Sequence, residues 1–300
     1  MSPLEFDVIV ATYNGSRFIE AQIQSILDQS SLPKSIVVTD DGSTDQTLAI
    51  IKKMAGSHPG LFVFIQGPKQ GVVANVLHAF AHTSAEYVFI ADQDDIWLPN
   101  KIDLFSKKMI NSSYPHLIYS DAIVWGGGEK TGVSFFNSEK IPKRIIKSQH
   151  LLFRNSVQGA SSAVNRALIL KLRIVDDIYM HDWWMALIAS FLGEMTLIEA
   201  PTLLYRQHDS NLVGSSLVVK RGYGAKYRAS IKIFLQAMAF YDVYKVVLNV
   251  NDELFLRELK RVLLGGFMRR LRFLVVYQPK RLNFTRSLTL WVSILLFKSA

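Results

Sequence analysis

The stretch DVIVATYNGSRFIEAQIQSILDQSSLPKSIVVTDD, residues 7–41, decides the fold class of this chain. It opens with an apolar, β-branched run at 7–12, continues with helical spacing at 16–28 and closes with a second β-branched run at 35–41. Strand, helix and strand in this order predict two parallel strands joined by a crossover helix. The pattern repeats along the chain, so we expect an α/β fold with a mainly parallel sheet covered by helices on both faces.

The same signals predict the remaining elements. The strands cover 61–66, 86–92, 116–121 and 194–200, and the helices cover 44–55, 71–82, 99–110 and 181–192. We expect Ser43 or Thr44 to cap the helix at 44–55 and Pro99 to lie in the first turn of the helix at 99–110. The Gly-rich residues 126–140 predict a mobile loop, which a polar segment at 155–166 follows. From about residue 216 onward the pattern is helical and basic.

The composition fits a chain with a sizeable core. Three hundred residues with 49% hydrophobic content can form one large domain, or one domain with an appendage. The sequence contains no cysteine, which excludes disulfides, thiolate metal sites and a cysteine nucleophile. The first residues show no basic segment leading into an apolar one, so we expect no signal peptide. The apolar stretch LTLWVSILLF near the C-terminus is too short to span a bilayer.

The positive charge is concentrated in the C-terminal region. The formal net charge is +9, and residues 216–300 carry 16 Lys and Arg against 4 Asp and Glu. Residues 1–215 carry 18 basic against 21 acidic side chains. An anionic membrane surface and nucleic acid are both candidate partners for such a region. No recognised nucleic-acid-binding module accompanies the charge, so we do not expect nucleic acid to be a binding partner.

Three carboxylates follow the strand at 86–92. In FIADQDDIWLPNKI, residues 89–102, these are Asp92, Asp94 and Asp95. Like charges this close repel, and Mg²⁺ or Mn²⁺ binds a few protein carboxylates together with substrate phosphates. The alternative is a solvated loop that caps the next helix. Two further polar motifs at the same predicted sheet edge favour the metal site.

These motifs are ATYNGS after the first strand and TDDGSTD after the second. Tyr13 offers a ring that can stack on a base, and Asn14 begins a turn. Asp41 and its neighbours can accept hydrogen bonds from a ribose or a base, although a turn with a helix cap is the simpler alternative. The chain contains neither GxGxxG after the first strand nor GxxxxGK[ST], which argues against a dinucleotide site and a P-loop.

Together with HDWW at 181–184 and YRQHDSNLVG at 205–214, these motifs resemble family 2 glycosyltransferases with the GT-A fold, a Rossmann-like α/β architecture. Within that family they resemble bacterial rhamnosyltransferases of cell-surface polysaccharide assembly most. The resemblance spans roughly residues 5–215. It implies a GT-A domain over 1–215, with a nucleotide-sugar-binding half at 1–125 and an acceptor and catalytic half at 126–215. Residues 216–300 then form a separate basic helical region.

The resemblance also implies roles for individual residues. Asp94 is the expected main metal ligand, Asp92 lies near the ribose and the metal, and Asp95 supports them. His208 is a candidate additional ligand, although a lone histidine is more often structural. Arg206 is expected to pair with the diphosphate. The residues expected on the donor-nucleotide side are Ala11, Tyr13, Asn14, Asp41, Asn75, Asp92 and Arg206. Ala11 stands where the family often has a hydroxyl residue, and Asn75 is as readily a buried structural amide.

The HDWW motif supplies the expected catalytic base, Asp182, which follows His181. Apolar neighbours raise the pKa of a carboxylate toward values suited to general-base catalysis. The aromatic rings of Trp183 and Trp184 are expected on the acceptor side, together with Gln158 and Gly159. The alternative is a helix start in which Asp182 is the N-cap and both tryptophans belong to the core.

The resemblance therefore predicts a metal-dependent, inverting glycosyltransferase. The expected donor is a nucleotide-diphosphate sugar, dTDP-L-rhamnose, and the expected acceptor is a lipid-linked saccharide of surface polysaccharide assembly. The basic region implies a peripheral position at the cytoplasmic face of the bacterial inner membrane; packing on the catalytic domain is the simpler alternative. Two alternatives to the function are transfer of another hexose or N-acetylhexosamine, and a non-catalytic nucleotide-sugar-binding subunit.

Overall fold

The structure, a computed structural model, describes residues 5–126, 129–208, 223–277 and 284–297. The predicted boundary at 215/216 and residues 209–214 of the YRQHDSNLVG motif lie outside these ranges. Within the described part of the chain, no helix has the length and apolar character needed to cross a membrane.

The elements alternate along the first half of the chain. The strands are β1 Phe6–Thr12, β2 Ser35–Asp40, β3 Phe62–Gln66, β4 Tyr87–Asp92, β5 Ile96–Trp97, β6 His116–Gly126, β7 Glu129–Ser134, β8 Ser162–Asn165 and β9 Glu194–Gln207. The helices are α1 Ile19–Leu27, α2 Thr47–Ala55, α3 Val72–Ala79, α4 Lys101–Ser106, α5 Phe135–Glu139, α6 Ser148–Leu151, α7 Arg166–Lys171, α8 His181–Leu192, α9 Tyr223–Tyr244, α10 Val250–Leu263, α11 Phe267–Tyr277 and α12 Phe284–Leu296.

These strands form one sheet with the order β3-β2-β1-β4-β8-β6-β9-β5, and β7 pairs with β6. The strands β3, β2, β1 and β4 are parallel to one another, and β6 is parallel to β9. The strand β8 runs antiparallel to both β4 and β6 and so joins the two parallel parts. The predicted α/β class with a mainly parallel sheet is confirmed.

Helices on both faces explain why the central strand β1 is buried along its whole length. On one face, α1 buries Ile19, Ile23 and Ile26, which are spaced so that they share one side of a helix. On the other face lies α8, whose residues are buried almost all around. A helix that is apolar on every side belongs to the core, and α8 is the element around which the second half of the chain packs.

The described C-terminal helices pack on α8 and join its hydrophobic core. Trp184 of α8 contacts Phe240 and Tyr244 of α9, with ring centroids 5.5 and 5.9 Å apart. Phe234 of α9 in turn contacts Phe297 at the end of α12. The prediction of helical structure in this region is confirmed for the described residues. The division into domains remains a prediction.

Several local predictions need correction. Residues 126–140 do not form only a loop, because β7 pairs with the edge of β6 and α5 follows it. The residue that precedes α2 is Gln46, whereas Ser43 bonds to the backbone of Asn14. Pro99 precedes α4 in a turn in which the Lys101 N–H donates to the carbonyl of Leu98. The strand predicted at 194–200 extends to residue 207, because it pairs with β6 over most of its length.

Candidate active site

Three parallel strands end side by side at one edge of the sheet. In the register, Thr12 of β1 pairs with Asp40 of β2, and Ala11 pairs with Asp92 of β4. The three motifs that follow these strands therefore meet at their carboxyl ends, as parallel pairing requires. Ala11 is only 7% exposed, so any ligand contact from this position would involve its backbone.

The TDDGSTD turn is fixed by its own carboxylates. Asp40 accepts hydrogen bonds from the Thr12 hydroxyl at 3.0 Å and from the Ser43 N–H at 2.8 Å. Asp41 accepts from the N–H groups of Lys69 and Gly71 at 2.6 and 2.8 Å. Asp41 thus fixes the segment that enters α3. Its role toward a nucleotide remains a prediction.

Asn75 of α3 lies behind this turn. Its amide oxygen accepts from the Thr39 hydroxyl at 2.5 Å, and its amide nitrogen donates to the Thr39 carbonyl at 3.0 Å. The side chain is buried, with 2% of its surface exposed. These contacts match the structural alternative for Asn75, in which the amide ties α3 to β2.

Tyr13 presents its ring to solvent at the end of β1. The Gln93 side chain accepts from the Tyr13 N–H at 2.9 Å and donates to the Tyr13 carbonyl at 3.0 Å. This pair of bonds fixes the backbone while 56% of the Tyr13 surface stays exposed. Asn14 adopts φ of 49° and accepts from the Thr44 N–H at 2.8 Å, which ties the first motif to the second.

The three carboxylates after β4 have different surroundings. Asp94 contacts His208, with Oδ2 and Nε2 2.7 Å apart and both side chains 16% exposed. Asp95 is turned into the protein, where its Oδ1 accepts from the Arg206 N–H at 2.9 Å. Asp95 Oδ2 has no hydrogen-bond partner among the described residues. The carboxylates therefore separate into an outer group, Asp94, and an inner one, Asp95.

Arg206 spans the outer side of this loop. Its Nε donates to the Asp94 carbonyl at 2.7 Å, and its guanidinium lies 3.9 Å from the centroid of Trp125 and 4.8 Å from that of Phe18. The ring of Phe18 also stacks on His208, with centroids 4.7 Å apart. The rings of Phe18 and Trp125 thus hold the Arg206 guanidinium beside Asp94, and Phe18 also holds the His208 imidazole there.

Lys101 lies beneath the carboxylates and is completely buried. Its Nζ donates to the Ala160 carbonyl at 2.7 Å and lies 4.4 Å from the centroid of Trp97. Burial lowers the pKa of Lys101 to about 7, although the charges of Asp95 and Asp92 oppose this shift. Burial, together with the charge of Asp94 and that of Asp182, raises the pKa of Asp92 to about 7.

Asp182 lies in the first turn of α8 and is 5% exposed. Its Oδ1 accepts from the Asn155 amide at 3.0 Å and from the Trp183 N–H at 2.6 Å. Its Oδ2 accepts from the Gly159 N–H at 3.1 Å. Burial raises the pKa of Asp182, and these donors oppose the shift because they stabilise the charged form. The Gly159 N–H bonds to Asp182, and the carbonyl of the adjacent Ala160 bonds to Lys101 beneath the carboxylates, so the base candidate and the DQDD loop (residues 92–95) belong to one site.

Two buried polar side chains beside Asp182 lack partners within the described chain. Both ring nitrogens of His181 and the amide oxygen of Gln158 make no hydrogen bond there. They are 6% and 9% exposed, respectively. Gly159 is in close contact with this histidine, because a Cβ at that position would lie 2.7 Å from His181 Nε2. Buried polar atoms of this kind are suited to a polar ligand.

The two tryptophans of HDWW require a correction. Trp183 and Trp184 are 3% and 0% exposed, and their indole N–H groups donate to the carbonyls of Leu151 and Arg173. Neither ring offers a free face to an acceptor, since both pack in the core as the alternative predicted. Asp182, however, is not the N-cap, because α8 begins at His181 after Met180.

Sequence reasoning missed four residues that build this site. Gln93 lies inside the quoted DQDD motif and Lys101 follows it within WLPNKI, whereas Asn155 begins the polar segment at 155–166. Phe18 falls in an ordinary helical pattern. Gln93, Lys101 and Asn155 each lie in or beside a quoted motif, and this position is the signal that could have identified them. Their partners are distant in sequence, so no local pattern identifies the contacts.

No three or more His, Asp or Glu side chains within the described ranges form a group that could bind a metal by themselves. Asp94 and His208 are the pair of candidate ligands in direct contact. Carboxylate oxygen and imidazole nitrogen are both suitable donors for Mn²⁺, and a carboxylate suits Mg²⁺. The residues present therefore fit a divalent cation whose remaining ligands come from water and phosphate.

Comparisons with known proteins agree with this geometry. Residues 7–120 match the profile of glycosyl transferase family 2. The chain is 27% identical over 229 residues to dTDP-rhamnosyl transferase RfbG of Shigella flexneri, across 71% of this chain and 76% of that protein.

Two solved structures have a similar fold. S. aureus TarS 1–349 in complex with UDP-GlcNAc matches with a TM-score of 0.59 and 16% identity, over 97% of this chain and 79% of that one. The mannosyltransferase PcManGT from Pyrobaculum calidifontis, in complex with GDP-Man and Mn²⁺, matches with a TM-score of 0.54 and 16% identity, over 98% and 86%. The three-motif sheet edge and the shared architecture thus show the GT-A fold, and residues 7–120 are similar to glycosyl transferase family 2.

Proposed function

We propose that this protein is a metal-dependent, inverting glycosyltransferase that moves a sugar from a nucleotide-diphosphate donor to a saccharide acceptor. The observation that carries the proposal is the placement of Asp182. Three hydrogen-bond donors orient its carboxylate, and the Gly159–Ala160 segment connects it to Lys101 beneath the DQDD loop. A carboxylate base and a phosphate-binding loop at one sheet edge are the two parts that sugar transfer needs.

The donor nucleotide would bind across the ends of β1, β2 and β4. The exposed ring of Tyr13 suits stacking on the base. Asp41 and Asp92 would accept hydrogen bonds from the base and the ribose, and Asn14 shapes the turn between them. Arg206 would pair with the diphosphate, since its guanidinium is held beside Asp94 by two aromatic rings.

Asp94 and His208 would bind the divalent cation, with Asp92 beside them. A bound Mg²⁺ or Mn²⁺ would supply positive charge that offsets the charge of the diphosphate. The chain contributes the orientation of these ligands. The stacking of Phe18 on His208 and the bond from Arg206 to the Asp94 carbonyl fix both side chains.

Asp182 would act on the acceptor. Its carboxylate takes the proton of an acceptor hydroxyl while that oxygen forms a bond to the anomeric carbon. The bond from the anomeric carbon to the diphosphate oxygen breaks, and its electron pair leaves with the nucleoside diphosphate. Attack opposite the leaving group inverts the configuration at the anomeric carbon. Asn155 and Gly159 would keep the carboxylate in place during this step.

Gln158, Gly159 and His181 would line the acceptor side. The unpartnered polar atoms of Gln158 and His181 would bind sugar hydroxyls, and Gly159 allows the backbone to approach. Trp183 and Trp184 support this wall from the core.

The donor we propose is dTDP-L-rhamnose, which is supported by the similarity to RfbG, a dTDP-rhamnosyl transferase. The acceptor would be a lipid-linked saccharide in bacterial O-antigen or other surface polysaccharide assembly, and the protein would act at the cytoplasmic face of the inner membrane. Transfer of another hexose or an N-acetylhexosamine is the alternative within the same chemistry.

A panel of nucleotide sugars tests this proposal. Turnover is measured as release of nucleoside diphosphate with Mn²⁺, with Mg²⁺ and with EDTA. We expect the highest turnover with dTDP-L-rhamnose, and loss of turnover in EDTA that Mn²⁺ restores. Higher turnover with a UDP- or GDP-sugar would overturn the donor assignment alone. Binding without turnover across the panel, with acceptor saccharides present, would instead support a non-catalytic subunit.

A further inference from the structure

The helix α11 exposes one apolar face that the described residues leave uncovered. Phe267, Met268, Leu271 and Val275 are 56%, 73%, 39% and 67% exposed, respectively. At about 100° per residue, the four side chains fall within roughly 100° of the helix circumference. An apolar stripe of this width is typical of a helix that packs against something.

The opposite face of α11 already has its packing partner. Phe273 is buried there, with its ring 6.3 Å from that of Phe255 in α10, while the buried Leu274 lies at the edge of the stripe next to Phe267. The exposed stripe is therefore a second apolar face, in addition to the one that attaches α11 to the protein. Contiguous exposed apolar surface of this kind marks an interaction site.

The neighbouring helices extend the apolar surface. On α10, Val250 and Leu254 are 74% and 45% exposed at a spacing of four residues. On α12, Leu288, Val292 and Leu296 are 49%, 44% and 57% exposed at the same spacing. We call the exposed sides of these three helices the α10–α12 face.

The charges on this face are positive on balance, although Glu258 of α10, four residues after Leu254, is a partly exposed acidic group. Arg272 of α11 is exposed beside the apolar stripe, and Arg261 is exposed at the end of α10, whereas Arg269 lies on the far side of α11. The sequence of α11 contains no acidic residue. Arg270 has a different role, because it donates to the carbonyls of Leu263 and Leu295 and so joins the helices.

We infer that the α10–α12 face binds an anionic phospholipid bilayer, with α11 lying in the plane of the interface. Apolar side chains flanked by arginines match the boundary between acyl chains and anionic headgroups. A second copy of the chain would bring the arginines of one α11 toward those of the other, which like-charge repulsion disfavours. The inference is independent of the donor and of the base, and it deepens the proposed site of action.

Vesicle co-sedimentation of the full chain, without substrates, tests the inference. We expect binding to phosphatidylglycerol-containing vesicles at low salt, weaker binding at high salt and little binding to pure phosphatidylcholine. The double variant Met268→Glu/Val275→Glu should lose binding. A matched control is Leu170→Glu/Ile174→Glu, whose positions are 69% and 64% exposed and lie outside this face. The control should bind as the wild type does.

The charge contribution is tested separately. Arg261→Gln/Arg272→Gln keeps the apolar stripe and should weaken binding on the order of fivefold for each arginine removed. This variant also serves if the glutamate variant does not fold, which circular dichroism would reveal.

Three outcomes would overturn the inference: no binding to anionic vesicles at low salt, unchanged binding of Met268→Glu/Val275→Glu, or a dimer that this variant dissociates in place of vesicle binding. Transfer to a soluble acceptor by the same variants reports on the proposed function separately, and we expect it to be unchanged.

Discussion

Replacing Asn155 tests whether Asp182 titrates as the catalytic base. Asn155 donates to Asp182 Oδ1 at 3.0 Å and holds its own side chain through a bond from the Val157 N–H to its Oδ1. Burial already raises the pKa of Asp182, and the Asn155 bond opposes that shift. In Asn155→Ala the charged form loses a donor, so the pKa of Asp182 rises further.

The size of this shift follows from the strength of the bond. A hydrogen bond to a charged group contributes about 1.5–3 kcal/mol, and one pKa unit corresponds to about 1.4 kcal/mol. Asp182 is 5% exposed, so solvent screens the loss only weakly. Because the base must be ionised, the acidic limb of kcat against pH should move upward by about 1–2 units. Activity below the limb should fall by about 10–100-fold, while the plateau at high pH changes little.

The assay is the pH–rate profile of kcat with saturating donor and acceptor. Asn155→Asp is the matched variant, because its carboxylate keeps an acceptor for the Val157 N–H but repels Asp182. It should shift the limb further than Asn155→Ala. If both variants fold and the acidic limb stays where it is in the wild type, the titrating base is not Asp182.

Three further variants test other parts of the site. Gly159→Ala would place a Cβ 2.7 Å from His181 Nε2, so kcat should fall at least tenfold and overpacking should cost about 1–3 kcal/mol of stability. Unchanged kcat and melting temperature would contradict the close contact. His208→Ala should raise the Mn²⁺ concentration for half-maximal turnover by about 10–100-fold, whereas an unchanged Mn²⁺ titration would assign His208 a structural role. Tyr13→Ala should weaken nucleotide binding by about 1–3 kcal/mol in calorimetry. The control Tyr114→Ala, at a position 69% exposed at the other end of the sheet, should not weaken it, and equal effects would argue against base stacking.

Local patterns predicted the first half of the fold because short runs of sequence mark its strands and helices. The strands β1, β2 and β4 are β-branched runs bounded by turn residues, and each is joined to the next by a segment with helical spacing. Parallel pairing then places the three motifs at one edge without any further information. The carboxylates after β4 and the exposed ring of Tyr13 were identifiable for this reason.

The contacts that the sequence did not predict join residues that lie far apart along the chain. Gln93 bonds to Tyr13, which lies 80 residues away, and Lys101 bonds to Ala160, 59 residues away. The Gly-rich segment at 126–140 forms β7 because β6 offers an open edge, which no local signal reveals. Trp184 packs inward because α9 covers that side of α8, and Trp183 packs inward where its indole N–H donates to the Leu151 carbonyl.

Asp182→Asn tests the central claim most directly, because it removes the proposed base while keeping the size of the side chain and most of its hydrogen-bonding positions. Turnover and donor affinity are measured on the same preparation, the first as nucleoside diphosphate release with acceptor and the second by calorimetry with Mn²⁺. We predict that kcat falls by at least 100-fold while the donor Kd stays within about threefold of the wild-type value. Normal transfer by the variant would contradict the assignment of Asp182 as the base.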